Sequence, residues 1–351
     1  MRNIKSLLVL ALASLMAVSC FKDPQRTPAE KIAFDPAVFA KELNTEFTEF
    51  SRKYVNNIQY LDDYSGMAVL AGTYEIGGVD QEMNIFAIRD NQGEVDKIIM
   101  QPVNNDNTAF YWDYFTSNAA ALGFGEFINA KYSTRDANGY CKSIAEARAL
   151  VESVGASNVI VVPVFDYVPG KVRLLTMLEG LYFGLILQDS WLTADYEILY
   201  RWIGLQFDNL CTNYYTVCRV DEEEKTLSVD WSRDLLGNDF SILATSNAGI
   251  VNSVVLTLDE SSLEGWDAVL SVFKKYAEGE KKLELGSYSK SYYQLGEEKT
   301  TFDSASAAVA WLTANGRPSE GELVVEYVVE YIKISIGMGA DAMTVSIEMR
   351  S

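Results

Sequence analysis

Carboxylates and aromatic rings are the main reactive and binding side chains of this sequence, because its 351 residues include no histidine. The absence of histidine excludes Ser-His-Asp and Cys-His catalysis and zinc sites of the His-Glu-x-x-His type. Neither a glycine-rich phosphate loop nor a Cys-x-x-Cys pair occurs in the sequence. We therefore expect a protein that is not an enzyme and that uses no cofactor and no metal.

Tyrosine is abundant, with 20 residues, and several tyrosines cluster near predicted loops. Aromatic faces bind sugar rings and dominate many protein-binding hot spots. The candidate ligand-binding residues are Tyr111, Tyr114, Tyr292 and Tyr293. The alternative is that these rings are half-buried at strand edges and serve only in packing.

Paired carboxylates are the one catalytic route left open, since two acids about 5 to 9.5 Å apart can hydrolyse a glycoside. Trp112-Asp113 and Trp266-Asp267 place an acid beside an aromatic ring twice. Because each pair is predicted at the start of a helix, capping by the aspartate and packing by the tryptophan explain it better than a duplicated active site. A carboxylate-dependent glycoside hydrolase remains an alternative function.

An internal repeat organises the chain. The Trp-Asp pair occurs twice, and Tyr132-Ser133 is repeated as Tyr288-Ser289. A predicted helix from Ser143 to Gly155 is repeated by one from Ser304 to Gly316. An earlier helix repeats with an offset of about 157 residues, so that Tyr196, Tyr200, Phe207 and Cys211 follow Phe39, Leu43, Phe50 and Tyr54. The sequence therefore predicts two tandem duplicated modules, 33–188 and 189–351.

The periodicity of apolar residues predicts the same elements in each module: helix, three strands, helix, strand, helix and two strands. The short turns favour antiparallel pairing. The fold class is therefore α+β, with helices packed on one face of an antiparallel sheet. We also expect the final strand, Met343–Met349, to be an exposed edge, which would suit a structural subunit of an envelope assembly.

The N-terminus has a basic start, an apolar run from Leu7 to Val18 and a cysteine at position 20. This pattern is typical of a secretion signal, here residues 1–19. The segment from Ala17 to Cys20 resembles the lipobox of bacterial lipoproteins, and Lys22-Asp23 resembles the surface-export signal of Bacteroidota lipoproteins. The resemblance implies lipidation of Cys20, followed by a tether over 20–32.

The same resemblance implies an outer-membrane location, because the inner-membrane retention aspartate does not follow Cys20 directly. We expect display on the cell surface, or otherwise on the periplasmic face. The net charge of −20 repels nucleic acid and anionic lipid, so the acyl chain would hold the protein to the membrane. Cys211 and Cys218 are either a disulfide or buried thiols, and Cys141 has no obvious partner.

These observations predict a non-catalytic, outer-membrane lipoprotein that binds a glycan or a protein partner through loops of its two modules. The alternatives are the carboxylate-dependent hydrolase and the structural subunit.

Overall fold

The computed structural model describes residues 29–350 except 170 and 222. The predicted signal peptide (1–19), Cys20 and Lys22-Asp23 lie outside the described residues. The chain divides into two compact units between Ser190 and Trp191, close to the boundary after residue 188 that the sequence suggests. We call them the first module and the second module. Within the described part of the chain, no helix is both long and apolar enough to cross a membrane.

The first module contains one ten-stranded sheet, in the order β1-β3-β4-β5-β10-β9-β8-β6-β7 with β2 beside β3. Its strands are β1 (Ile32–Ala33), β2 (Ile58–Asp62), β3 (Met67–Ile76), β4 (Val79–Arg89), β5 (Val95–Pro102), β6 (Glu126–Thr134), β7 (Asn138–Cys141), β8 (Val159–Val168), β9 (Val172–Glu179) and β10 (Tyr182–Asp189). Its α-helices are α1 (Pro36–Phe39), α2 (Phe47–Lys53), α3 (Thr108–Ser117) and α4 (Ile144–Val154).

The second module also contains a ten-stranded sheet, in the order β11-β13-β14-β15-β20-β19-β18-β16-β17 with β12 beside β13. Its strands are β11 (Leu192–Ala194), β12 (Arg219–Asp221), β13 (Thr226–Asp234), β14 (Asp239–Asn247), β15 (Ile250–Leu258), β16 (Ser287–Leu295), β17 (Glu298–Phe302), β18 (Glu322–Val329), β19 (Ile332–Gly339) and β20 (Met343–Met349). Its α-helices are α5 (Tyr196–Trp202), α6 (Phe207–Tyr214), α7 (Trp266–Ala277) and α8 (Ala305–Asn315).

The two sheets share one topology, because the main strand order of the second is that of the first with ten added to every number. In each sheet the first strand pairs in parallel, β1 with β3 and β11 with β13. The other named pairs of the two sheets are antiparallel. The prediction of two similar, sheet-rich modules with antiparallel pairing is confirmed at this level.

Helices α4 and α8 begin and end as the sequence predicts. The hydroxyl of Ser143 accepts a 3.1 Å hydrogen bond from the backbone N–H of Glu146, and Ser304 accepts one of 3.1 Å from Ala307. Glycine ends each helix at positive φ, 83° at residue 155 and 74° at residue 316. A side-chain oxygen at the N-cap and a left-handed glycine after the last turn satisfy backbone groups that the helix leaves unpaired.

The first helices of the modules match with an offset of 160 residues, not the 157 inferred from the sequence. Asn44 and Gly204 both have positive φ, 62° and 85°. Their N–H groups donate to Val95 O at 2.9 Å and Val251 O at 2.8 Å. Phe47 therefore matches Phe207, and the inferred match of Phe50 with Phe207 is wrong. Apolar residues three apart on one helix face allow either register, and only the strand contacts decide between them.

Gly125 and Gly286 occupy a second matched position, just before β6 and β16. Both have φ of +85°, and a Cβ at either would lie within 2.6 Å of a backbone oxygen, Asp166 O for Gly125 and Val328 O for Gly286. Only glycine combines this dihedral angle with so close an approach of another strand. The preceding side chains, Phe124 and Leu285, are both buried.

The Trp-Asp and Tyr-Ser echoes are not structural equivalents. Trp112 lies in the middle of α3 and is buried, whereas Trp266 is the first residue of α7 and only half-buried. Asp113 caps nothing and instead bonds Arg148 at 2.6 Å. The buried residues of the two helices align with an offset of 161, as Thr108, Tyr111, Trp112, Phe115 and Thr116 with Val269, Val272, Phe273, Tyr276 and Ala277.

Two expectations about strands are also wrong. The sequence predicts six strands in each module, but each sheet has ten. In the second sheet, β14 lies between β13 and β15 and alternates buried Phe240, Ile242 and Ala244 with more exposed residues. The last strand, β20, is not an edge, because it pairs with β15 on one side and β19 on the other. Met343–Met349 therefore cannot serve as the edge of a structural subunit.

Candidate ligand-binding site

Tyr111 is a packing residue. Its side chain is only 7% exposed, and its ring stacks on Phe183 with the centroids 6.0 Å apart. Its hydroxyl lies 3.3 Å from Gln81 Oε1, to which it donates. Tyr111 lies inside α3 and not in a loop, and little of its surface is open to a ligand.

Tyr292 and Tyr293 lie in strand β16, and their hydroxyls are already bonded within the second module. Tyr292 donates to Glu326 Oε1 at 2.9 Å, and Lys299 Nζ lies 3.1 Å from the centroid of its ring. Tyr293 donates to the backbone oxygen of Glu320 at 2.7 Å, and its ring packs 4.7 Å from that of Trp311. Burial and then the bond to Glu326 raise the pKa of Tyr292.

Tyr114 differs from these three residues. It is half-buried near the C-terminal end of α3, and its ring stacks on Phe110 with the centroids 6.5 Å apart and the planes at 29°. The two residues are one helical turn apart, so their rings lie on the same side of the helix. Phe110 is 52% exposed, which leaves an open aromatic surface beside Tyr114.

Three further groups are linked to Tyr114 by electrostatic interactions: Tyr74 interacts with Tyr114 and with Asp35, and Tyr167 interacts with Asp35. Burial, Tyr114 and Asp35 together raise the pKa of Tyr74 to about 12. Burial and Asp35 also raise the pKa of Tyr167. We call Asp35, Tyr74, Tyr114 and Tyr167, with the adjacent Phe110, the tyrosine cluster. Since the raised pKa values keep the phenols of Tyr74 and Tyr167 protonated at neutral pH, both can donate hydrogen bonds.

The polar groups of the tyrosine cluster are largely unsatisfied within the protein. The hydroxyls of Tyr74, Tyr114 and Tyr167 have no hydrogen-bond partner among the residues that the structure describes. Asp35 is exposed, and its Oδ1 accepts a 2.8 Å hydrogen bond from the backbone N–H of Ala37 at the start of α1. The cluster therefore offers three phenol groups and a carboxylate to a ligand.

The fold brings these groups together from four distant elements. Tyr74 comes from β3, Tyr114 from α3 and Tyr167 from β8, while Asp35 is the N-cap of α1. Buried rings hold them in place, because Tyr74 packs 5.0 Å from Phe115 and 6.5 Å from Phe34. Phe115 also packs edge-on to Tyr114 at 5.3 Å.

The second module lacks this aromatic surface. With the 161-residue offset between α3 and α7, the positions of Phe110 and Tyr114 are occupied by Ser271 and Lys275. Buried Tyr276 takes the place of Phe115. Helices α3 and α7 therefore pack against their sheets with matching buried residues. Their residues outside the core differ.

Carboxylates of the second module give a weaker candidate site. Glu322 and Glu326 lie four residues apart on β18 and so point to the same face of the sheet. Burial raises the pKa of Glu322. Glu326 is held by Tyr292 and by Lys290, whose Nζ lies 3.2 Å from Oε2. Among the described residues, no group of three or more acidic or cysteine side chains is arranged to hold a metal ion.

Comparison with known proteins gives no match: no family model, no curated protein and no solved structure is significantly similar to this chain.

Of the tyrosines proposed from the sequence, only Tyr114 belongs to the tyrosine cluster. Asp35 is recognisable as a helix cap, but nothing in the sequence links it to Tyr74 or Tyr167, which lie on other strands. The one local signal for the site is Phe110 four residues before Tyr114, which places two rings on one side of a predicted helix. The three cysteines 141, 211 and 218 are buried thiols.

Proposed function

We propose that this protein is a non-catalytic cell-envelope lipoprotein, anchored in the outer membrane through lipidated Cys20, that binds a glycan or a protein partner. Cys20 follows a secretion signal and a lipobox-like segment. We further propose that the two modules arose by duplication and carry their helices on one face of each sheet. The shared strand order and the matched glycines at 125 and 286 support a common origin.

The observation that carries the binding proposal is the set of unsatisfied phenol groups in the tyrosine cluster. Most tyrosines with buried hydroxyls find a protein partner. Tyr74, Tyr114 and Tyr167 are half-buried, and their hydroxyls have no partner among the described residues. Tyr74 and Tyr167 lie within electrostatic range of exposed Asp35, and Tyr114 lies beside exposed Phe110. Such a combination of aromatic surface and hydrogen-bonding groups is typical of ligand-binding surfaces.

Photo-crosslinking tests this proposal. Tyr114 is replaced with the photoreactive amino acid p-benzoylphenylalanine in the full-length protein, and the cells are irradiated. We expect a discrete adduct from position 114. The control places the same group at Tyr64, which is 99% exposed and lies in the turn before β3, at the opposite end of that strand from Tyr74. Identical adducts at the two positions, or none at position 114, would refute the proposal.

A carboxylate-dependent glycoside hydrolase is the second candidate, supported by the raised pKa of Glu322, which suits a general acid. Hydrolysis of a polysaccharide by the wild-type protein that is lost in Glu322→Gln would establish this alternative.

A further inference from the structure

We infer that the ligand of the tyrosine cluster is an uncharged polysaccharide, with a sugar ring stacked on Phe110 and Tyr114 and its hydroxyls bonded to the phenols and to Asp35. This inference rests on the proposed binding function and deepens it by naming the class of ligand.

The stacked pair supplies the apolar part of the site. Phe110 and Tyr114 lie with their ring planes at 29° and their centroids 6.5 Å apart, so two aromatic rings are neighbours on one side of α3. Tyr114 is fixed from behind by Phe115, whose side chain is fully buried. A rigid aromatic surface suits the C–H face of a sugar ring, because it loses little conformational entropy when the sugar binds.

The polar groups of the tyrosine cluster match the hydrogen-bonding groups of a polyol better than those of a protein partner. A pyranose ring presents several hydroxyls that both donate and accept, and each phenol of Tyr74, Tyr114 and Tyr167 also does both. Asp35 adds an acceptor, and only one of its oxygens is engaged, by Ala37 N–H at 2.8 Å. The interface of a protein partner would require a larger apolar centre than one exposed phenylalanine provides.

Charge selects against acidic glycans. The chain carries a formal net charge of −20, and the carboxylate of Asp35 lies within range of two of the phenols. A sulfated or uronic-acid polymer would therefore be repelled, and a neutral one would not.

The test uses the mature full-length protein and affinity electrophoresis in gels that contain dextran, pullulan, mannan, xyloglucan or dextran sulfate. Dextran and dextran sulfate share a backbone and differ only in charge. We expect retardation by at least one neutral polymer and none by dextran sulfate. Phe110→Ala should weaken that binding at least tenfold and Asp35→Asn about fivefold, whereas Tyr64→Ala should leave it unchanged.

Three outcomes would overturn the inference. They are no retardation by any neutral polymer in the panel, tighter binding of dextran sulfate, or equal losses in Phe110→Ala and Tyr64→Ala. Because Phe110 is 52% exposed, we expect its replacement to leave the melting temperature unchanged, which separates lost binding from unfolding. A protein adduct from position 114 with no polysaccharide binding would refute the inference but leave the proposed binding function standing.

Discussion

Tyrosine hydroxyls in this protein fall into two groups. Buried or half-buried hydroxyls in the first group reach a protein acceptor, as Tyr54 reaches Glu42 at 3.0 Å, Tyr276 reaches Asp234 at 2.6 Å and Tyr327 reaches Ala277 O at 2.7 Å. The three phenols of the tyrosine cluster reach none among the described residues. A hydroxyl that has no protein partner can both donate to and accept from a ligand, so we expect the second group to be the one that a ligand contacts.

Glu179 gives a pH-dependent prediction at the residue scale. Burial raises its pKa to about 6, so the protonated carboxyl is favoured in the folded state. The folded pKa lies above the ordinary value, so the contribution of Glu179 to stability is most favourable at low pH and is lost as the pH rises from about 4.5 through 6. Because Glu179 is partly solvated, we expect a loss of only about 1 kcal/mol above pH 7.

Urea unfolding of Glu179→Gln measures this effect. The variant should be more stable than the wild-type protein by about 1 kcal/mol at pH 7.5 and no more stable at pH 4.5. Asp62→Asn is a contrasting variant, because hydrogen bonds from Ser65 lower the pKa of Asp62. A gain for Glu179→Gln that is the same at both pH values would contradict the prediction.

Glycine before β6 gives a prediction at the element scale. Gly125→Ala introduces a Cβ 2.2 Å from Asp166 O at a φ of +85°, so the strand must shift. We expect a loss of about 3 kcal/mol in the free energy of unfolding. Gly123→Ala is a matched control in the same loop, because its φ is +70° but its Cβ would meet nothing within 4 Å. Thermal unfolding should show a clearly smaller loss for the control, and equal losses would contradict the structure.

The N-cap of α8 gives a second prediction for an element. Ser304→Ala removes the oxygen that accepts from Ala307 N–H, and we expect it to cost about 1 kcal/mol. Ser306→Ala is a control within the same helix at an exposed position that caps nothing. Chemical denaturation should show no loss for the control. A destabilisation of the control that equals that of Ser304→Ala would refute the capping role.

Elements with strong local signals could be predicted, and long-range placements could not. Ser143 and Gly155 define α4 because capping depends only on nearby backbone groups. The offset between the first helices of the two modules could not be determined from the sequence. An apolar helix face has a similar pattern of residues when it is shifted by one turn. Strand β14 gives a weak local signal although its alternation is regular, since its inward side chains include small Ala244.

At the scale of the whole molecule, two modules of the same topology differ in what they present outside their cores. The first has Phe110 and Tyr114 where the second has Ser271 and Lys275. One copy can therefore retain the fold while the other acquires a ligand site. The tyrosine cluster could not be predicted, because Asp35 and Tyr167 are 132 positions apart (167 − 35) and its members come from separate strands and helices.

Anchoring through Cys20 gives a prediction for the whole chain. The mature protein should carry an N-terminal acyl modification that intact mass spectrometry detects, and it should partition with the outer membrane. Cys20→Ser should lose the acyl modification and should no longer partition with the outer membrane, because the acidic chain does not favour binding to anionic lipid. Partition of the variant with the outer membrane would show that a different element holds the protein there.

Proteinase K digestion of intact cells tests the central claim, a lipid-anchored binding protein displayed to an external ligand, most directly. The blot compares both modules with a periplasmic control protein. The account predicts that the modules are digested while the control stays intact. Protection of both modules in intact cells, with digestion only after the outer membrane is permeabilised, would contradict surface display and place the ligand of the tyrosine cluster in the periplasm.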